Sequence, residues 1–192
     1  MCGGGAEIHI DRTEFMQYHL NKTISLEKKY DIAQCLEAAE HIEKENAKIV
    51  VSNLVNASDI VLFSAAIPHQ RGAHHVNEQW QRYWIDLFEK EGYAVIDCIR
   101  EKIWNNPVVR GFYAQNIFLF CRRNDRNEQL LRKCQYNRES MFNVVHPAVW
   151  EELNAYGFMK FIDKMYGNKF LYWIYKTFFK RDFNSRGRKN AE

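Results

Sequence analysis

Residues 59–84, DIVLFSAAIPHQRGAHHVNEQWQRYW, restrict what this chain can fold into more than any other stretch. Ile60, Val61, Leu62 and Phe63 form an apolar run bounded by Asp59 and by Ser64-Ala65-Ala66, which predicts a strand covered on both faces. Pro68 forbids its continuation. A polar loop follows, carrying Gln70, Arg71, Gly72 and three histidines, His69, His74 and His75. Trp80, Tyr83, Trp84, Leu87 and Phe88 then recur at i, i+3, i+4, i+7 and i+8, the spacing of one helical face, with Asn77 as the expected N-cap and Gly92 as the expected stop. A polar loop between the carboxyl end of a strand and the amino end of a helix is where open α/β sheets bind ligands.

The rest of the chain suits a single domain with an appendage. Its 192 residues, 46% hydrophobic and 15% aromatic, can bury a substantial core and argue against disorder. No uncharged apolar run approaches the roughly 18 residues that span a bilayer. The net charge of +3 is unevenly spread: residues 151–192 hold nine Lys/Arg and five Asp/Glu, whereas the first 150 hold 18 and 19. The basic character belongs to the tail, so no nucleic-acid partner is expected of the domain. Cys2, Cys35, Cys98, Cys121 and Cys134 are odd in number and form no CxxC pair, and they read as small buried residues in a reducing compartment. With no basic-then-apolar leader at the amino terminus, the expected address is cytoplasmic.

Three stretches carry a family likeness. Residues 61–84 resemble the fifth-strand region of a group of class I S-adenosylmethionine-dependent methyltransferases, which read close to VLFSAAIPxQxGxxHVNEQWxxYW there. Residues 29–42 are similar to that group's fourth strand and following turn, FDLxxSLEVAEHL, through Tyr30-Asp31, Leu36-Glu37 and Glu40-His41-Ile42. Ile103-Trp104-Asn105-Asn106-Pro107 and Tyr113-Ala114-Gln115-Asn116 are similar to RxxIWxxPxVxxxYxQNxLLF, which in the group leads into the sheet's antiparallel strands. The likeness implies an α/β fold: a Rossmann-like class I methyltransferase sheet, incomplete at the N-terminus, with a C-terminal helical appendage. The expected organisation is an α/β domain over 1–122, a polar connector over 123–147 and a basic aromatic helical extension over 148–192.

The likeness also implies S-adenosylmethionine as cofactor, with Leu36, Glu37 and His41 lining its methyl and amino-acid end. Where the group has Asp-Leu near the adenine this chain has His19-Leu20, so the carboxylate contact is replaced by an imidazole. Cys2-Gly3-Gly4-Gly5 matches only the tail of the group's DxGCGxG turn, and no apolar strand precedes it. Cofactor binding by residues 1–192 is therefore expected to be weak or absent. A base for a hydroxyl acceptor would come from the loop after the fifth strand, with His75 and Glu78 as candidates and Asn77 and Trp80 shaping the acceptor pocket. The acceptor itself is open.

Blander readings stand beside these. Glu37, Glu40 and His41 also suit a solvated first helical turn, Glu78 a helix cap, and His75, Trp104 and Tyr113 packing positions. The residues are read as holding no metal. A metal-binding loop of His69, His74 and His75 is the competing class, but no Cys or Asp lies among them and adjacent His74 and His75 point apart in an extended segment. A third class is a non-catalytic methyltransferase-derived scaffold or interaction protein. Residues 168–192 carry aromatics on all sides of a helix among Lys169, Lys176, Lys180 and Arg181, expected to pack on protein, with peripheral contact to an anionic membrane as the alternative.

Overall fold

The computed structural model describes residues 9, 11–127, 129, 132 and 142–167. The glycine cluster at residues 3–5 and the aromatic helix read over 168–192 lie outside them. The chain divides into two compact units, residues 1–146 and 147–192. In the second unit the described element is one long helix, Pro147–Gly167. Among the described residues no helix is long and apolar enough to cross a membrane.

The first unit is mixed α/β. Its strands are β1 (Ala33–Leu36), β2 (Ile60–Ser64), β3 (Tyr93–Ile96) and β4 (Phe118–Arg122), and its helices α1 (Ala47–Ala57), α2 (Gln81–Lys90), α3 (Arg100–Ile103) and α4 (Gly111–Asn116). The spatial order is β1-β2-β4-β3. β1 and β2 run parallel, while β4 lies antiparallel to both β2 and β3. The two motif-bearing turns, after β1 and after β2, thus leave the sheet at the same edge, because parallel neighbours share their carboxyl end.

Strand alternation decides where the core sits. In register, Cys35 faces Phe63, Phe63 faces Phe118, and Phe120 lies beside both Val61 and Val95. These side chains share one face and join Val50, Val51 and Val55 of α1 and Trp84, Ile85, Leu87 and Phe88 of α2 in one cluster. The opposite face of β2 is only half-buried at Ile60 and Leu62, so the strand is covered fully on one face and not on both as its apolar run predicts. The Tyr93 hydroxyl fastens β3 to the end of α1, reaching the carbonyls of Val55 (3.0 Å) and Ser58 (2.7 Å).

Two local expectations shift. The helix read as starting after Asn77 begins at Gln81, with Trp80 as its flanking residue, 42% exposed and outside the buried face. The reason is tertiary: Arg82 N–H donates to Asn143 Oδ1 (3.0 Å), so a side chain 61 positions away caps the helix. Gly92 does terminate it, at φ +79° with its N–H on Glu89 O, a conformation glycine adopts without a Cβ penalty. The helix expected to run on from Glu37 is instead two short 3-10 turns, Ala39–His41 and Lys44–Asn46, before α1.

Cys35 bears out the reading of a small buried residue. It is 8% exposed and its thiol is pushed up to about 12, first by burial and then by the nearby Glu40 and Glu37 carboxylates. Alkylation of Cys35 in the native protein at pH 8 is expected to be at least a hundredfold slower than in the urea-unfolded chain, since only the thiolate reacts and its fraction falls about tenfold per unit of pKa. Peptide mass spectrometry of timed alkylation reads the ratio, and equal rates would show that the β1 face is open.

Candidate functional site

The turn after β1 opens with Glu37, a non-glycine residue at φ +48°. That conformation is held from β2: Glu37 N–H donates to the Ser64 carbonyl and to Ser64 Oγ, both at 3.0 Å. Its carboxylate is gripped by amides from two segments. Gln70 Nε2 donates to Oε2 (2.7 Å) and Asn116 Nδ2 to Oε1 (3.2 Å), while Asn116 Nδ2 also reaches Gln70 Oε1 (2.8 Å) and Gln115 Nε2 reaches Asn116 Oδ1 (2.9 Å). Burial raises the Glu37 carboxyl above the ordinary range, and the bonds from Asn116, Gln70 and Ser64 oppose that rise by favouring the anion.

The loop after β2 is strained and gathered by one carboxylate. His69, Arg71 and His74 all have positive φ (71°, 62° and 62°), which costs of the order of 1 kcal/mol each for side chains with a Cβ. Glu78 holds the loop together, accepting from His69 N–H (2.8 Å), Arg71 N–H (2.7 Å) and His75 Nδ1 (3.0 Å). Gly72 passes directly under the imidazole of His75, where a Cβ would come within 2.1 Å of Nε2. Only glycine leaves room for the ring in this position.

The two turns then meet. The Glu40 carbonyl accepts Val76 N–H (2.9 Å) and Asn77 N–H (3.0 Å), stitching the post-β1 turn to the histidine loop. His41 Nδ1 lies 3.3 Å from the His74 carbonyl, and its ring stands edge-on to that of His75 at 4.9 Å. Glu40 is 1% exposed, and neither of its carboxylate oxygens has a hydrogen-bond partner among the described residues. Burial pushes its carboxyl up to about 7.

Of the residues singled out from sequence, Glu37, His41, His75, Glu78 and Asn77 converge at this edge. Asn77 is 2% exposed, and its Nδ2 has no partner among the described residues. Leu20 and Leu36 line a different feature, an apolar hollow of about 470 Å³ beside β1 that also includes Tyr18, Ile24 and Leu54. His19 is exposed. His69 and His74 do not gather with His75, and the cluster of potential ligating groups among the described residues is Glu40, His41 and His75. Sequence reasoning passed over Gln70, Gln115 and Asn116 as site residues, although all three lie in the quoted motifs. Neutral amides carry no titration signature, and only folding brings Gln70 and Asn116 to one carboxylate, with Gln115 behind them.

No family model matches the chain, and no curated protein sequence matches it. Among solved structures, it is similar to the small RNA methyltransferase HEN1 at 18% identity and a TM-score of 0.40, over 56% of this chain. The chain spans 16% of that structure's length, and a likeness this slight carries no argument about either fold family or activity.

Proposed function

We propose that the chain carries the site of an S-adenosylmethionine-dependent methyltransferase of class I, transferring a methyl group to a hydroxyl-bearing acceptor. The reading rests on one observation above the rest: the turns after two parallel strands, each carrying residues of the methyltransferase likeness, are hydrogen-bonded to one another at the carboxyl edge. The sheet order is compatible with a Rossmann-like sheet closed by an antiparallel strand.

The residues fit the cofactor in part. Leu20 offers an apolar wall to the adenine end, and Leu36, the Glu37 carboxylate and His41 are assigned to the methyl and cationic methionine end. When bound, the cofactor supplies an electrophilic methyl on a sulfonium sulfur. The chain's part is to align an acceptor with it and to take the acceptor's proton. In this assignment His75 Nδ1–H donates to Glu78, which leaves Nε2 as the basic atom, while Asn77 and Trp80 border the acceptor.

Calorimetric titration of the full chain with S-adenosylmethionine tests the proposal. Weak, saturable binding is expected, abolished by Leu36→Arg and retained by His75→Ala, which removes a base without touching the cofactor. Heats that Leu36→Arg leaves unchanged, or that His75→Ala abolishes, would discard the methyltransferase reading in favour of a non-catalytic scaffold.

A further inference from the structure

We infer that Glu40, His41 and His75 form a binding site for a divalent transition-metal cation. The site takes the His75 Nε2 lone pair that the proposed function gives to the acceptor base, so with an ion bound the metal, and not His75, would activate the acceptor; the binding itself does not depend on methyl transfer. One ligating atom from each of the three residues can be chosen so that all lie within 4.8 Å of one another. An ion with bonds of about 2.0–2.2 Å holds such atoms roughly 3–3.5 Å apart, so the three side chains close by roughly 1–2 Å around it.

The hydrogen bonds around the cluster prepare it for an ion. A carbonyl oxygen only accepts, so His41 Nδ1 donates to His74 O and its Nε2 keeps a free lone pair. His75 Nδ1 likewise donates to the Glu78 carboxylate, which turns its Nε2 toward Glu40 Oε1 at 3.9 Å. That distance is too long for a hydrogen bond and leaves space between donor atoms. A carboxylate or carbonyl on the far nitrogen is how metal-bound histidines are oriented.

Glu40 supplies the independent observation. Its carboxylate is 1% exposed, neither oxygen has a well-formed hydrogen bond among the described residues although the backbone N–H groups of Glu40 and Ala66 lie close enough to favour the anion, and it faces His75 with His41 in reach. A buried carboxylate without well-formed hydrogen bonds is costly, and a cation between it and the rings removes that cost. One carboxylate and two neutral imidazoles suit Mn²⁺, Fe²⁺, Co²⁺ or Zn²⁺ better than Ca²⁺ or Mg²⁺, and they leave positions open for water or for an acceptor oxygen, whose proton would be made more acidic.

Cobalt(II) is the probe, added to the full chain after chelator treatment and followed by its visible absorption and by metal analysis after gel filtration. One equivalent per chain is expected, with no sulfur-to-cobalt charge-transfer band, since no cysteine belongs to the cluster. Glu40→Gln and His75→Ala should each weaken binding at least tenfold, and Glu78→Gln by a similar factor through the orientation of His75. Glu40→Gln also guards against misfolding as an explanation: it removes an unpartnered buried charge, so the metal-free variant should melt no lower than the wild type while losing the rise in Tm that cobalt gives the wild type. No bound cobalt at millimolar concentration, or binding unchanged in Glu40→Gln and His75→Ala, would overturn the site. Neither result bears on cofactor binding, which is measured separately with S-adenosylmethionine.

Discussion

Phe88→Ala is expected to lower the free energy of unfolding by about 3–5 kcal/mol, a large part of the roughly 5–15 kcal/mol that holds an ordinary domain together. Phe88 is fully buried on α2. Its ring stacks on Phe120 of β4 with centroids 3.9 Å apart and planes 14° from parallel, and it meets Phe63 of β2 at 5.4 Å and Tyr93 of β3 at 6.3 Å. One side chain therefore touches three of the four strands, and truncation leaves a void that none of the surrounding rings can fill without abandoning another contact. Phe88→Leu, which keeps most of the volume, should cost clearly less. Urea denaturation followed by tryptophan fluorescence measures both; a loss below about 1 kcal/mol for the alanine variant would mean that α2 does not pack on this face.

Arg100→Met is expected to cost a comparable 3–5 kcal/mol, for an electrostatic reason. Arg100 is 5% exposed and Asp97 9%, and the guanidinium grips the carboxylate through both Nε (2.9 Å) and a terminal nitrogen. Its other terminal nitrogen donates to the carbonyls of Gln115 (3.3 Å) and Phe142 (3.1 Å), and its guanidinium carbon lies 4.2 Å from the ring centroid of Phe118. Methionine can replace the packing on the ring but none of the donors, so Asp97 would be left as an unpaired charge out of water. The pair Asp97→Asn/Arg100→Met should recover much of the loss, because the penalty comes from the orphaned partner and not from the missing attraction. If the single and double variants are equally unstable, the bonds from Arg100 to the two carbonyls matter more than its pairing with Asp97.

The same contrast between local and distant partners separates what could be read along the chain from what could not. The apolar run at residues 60–63, the helical spacing through Trp84, Leu87 and Phe88, and Gly92 as a stop were legible because each depends on neighbours within a few positions. Asn77 was legible only as a generic cap. Whether it or Asn143 caps α2 depends on which loop arrives there, and a hydrogen bond spanning 61 residues leaves no trace in local spacing.

The site divides in the same way. The sequence singled out Glu37 and His41 only through the methyltransferase likeness, and His75 and Glu78 as acid–base groups on the polar loop that carries the same likeness. Tertiary structure alone decided their partners. It placed the amides of Gln70 and Asn116 on Glu37, buried the carboxylate of Glu40 without a well-formed hydrogen bond among the described residues, and set His75 between Glu78 and Glu40 while His69 and His74 went elsewhere. The physical reason is that a strand order joins turns lying some 30 residues apart, and charge, burial and donor geometry take their values only after that joining. Composition cannot distinguish a solvated glutamate on a helical turn from one sealed against two imidazoles; the distinction lies in desolvation, which belongs to the folded molecule.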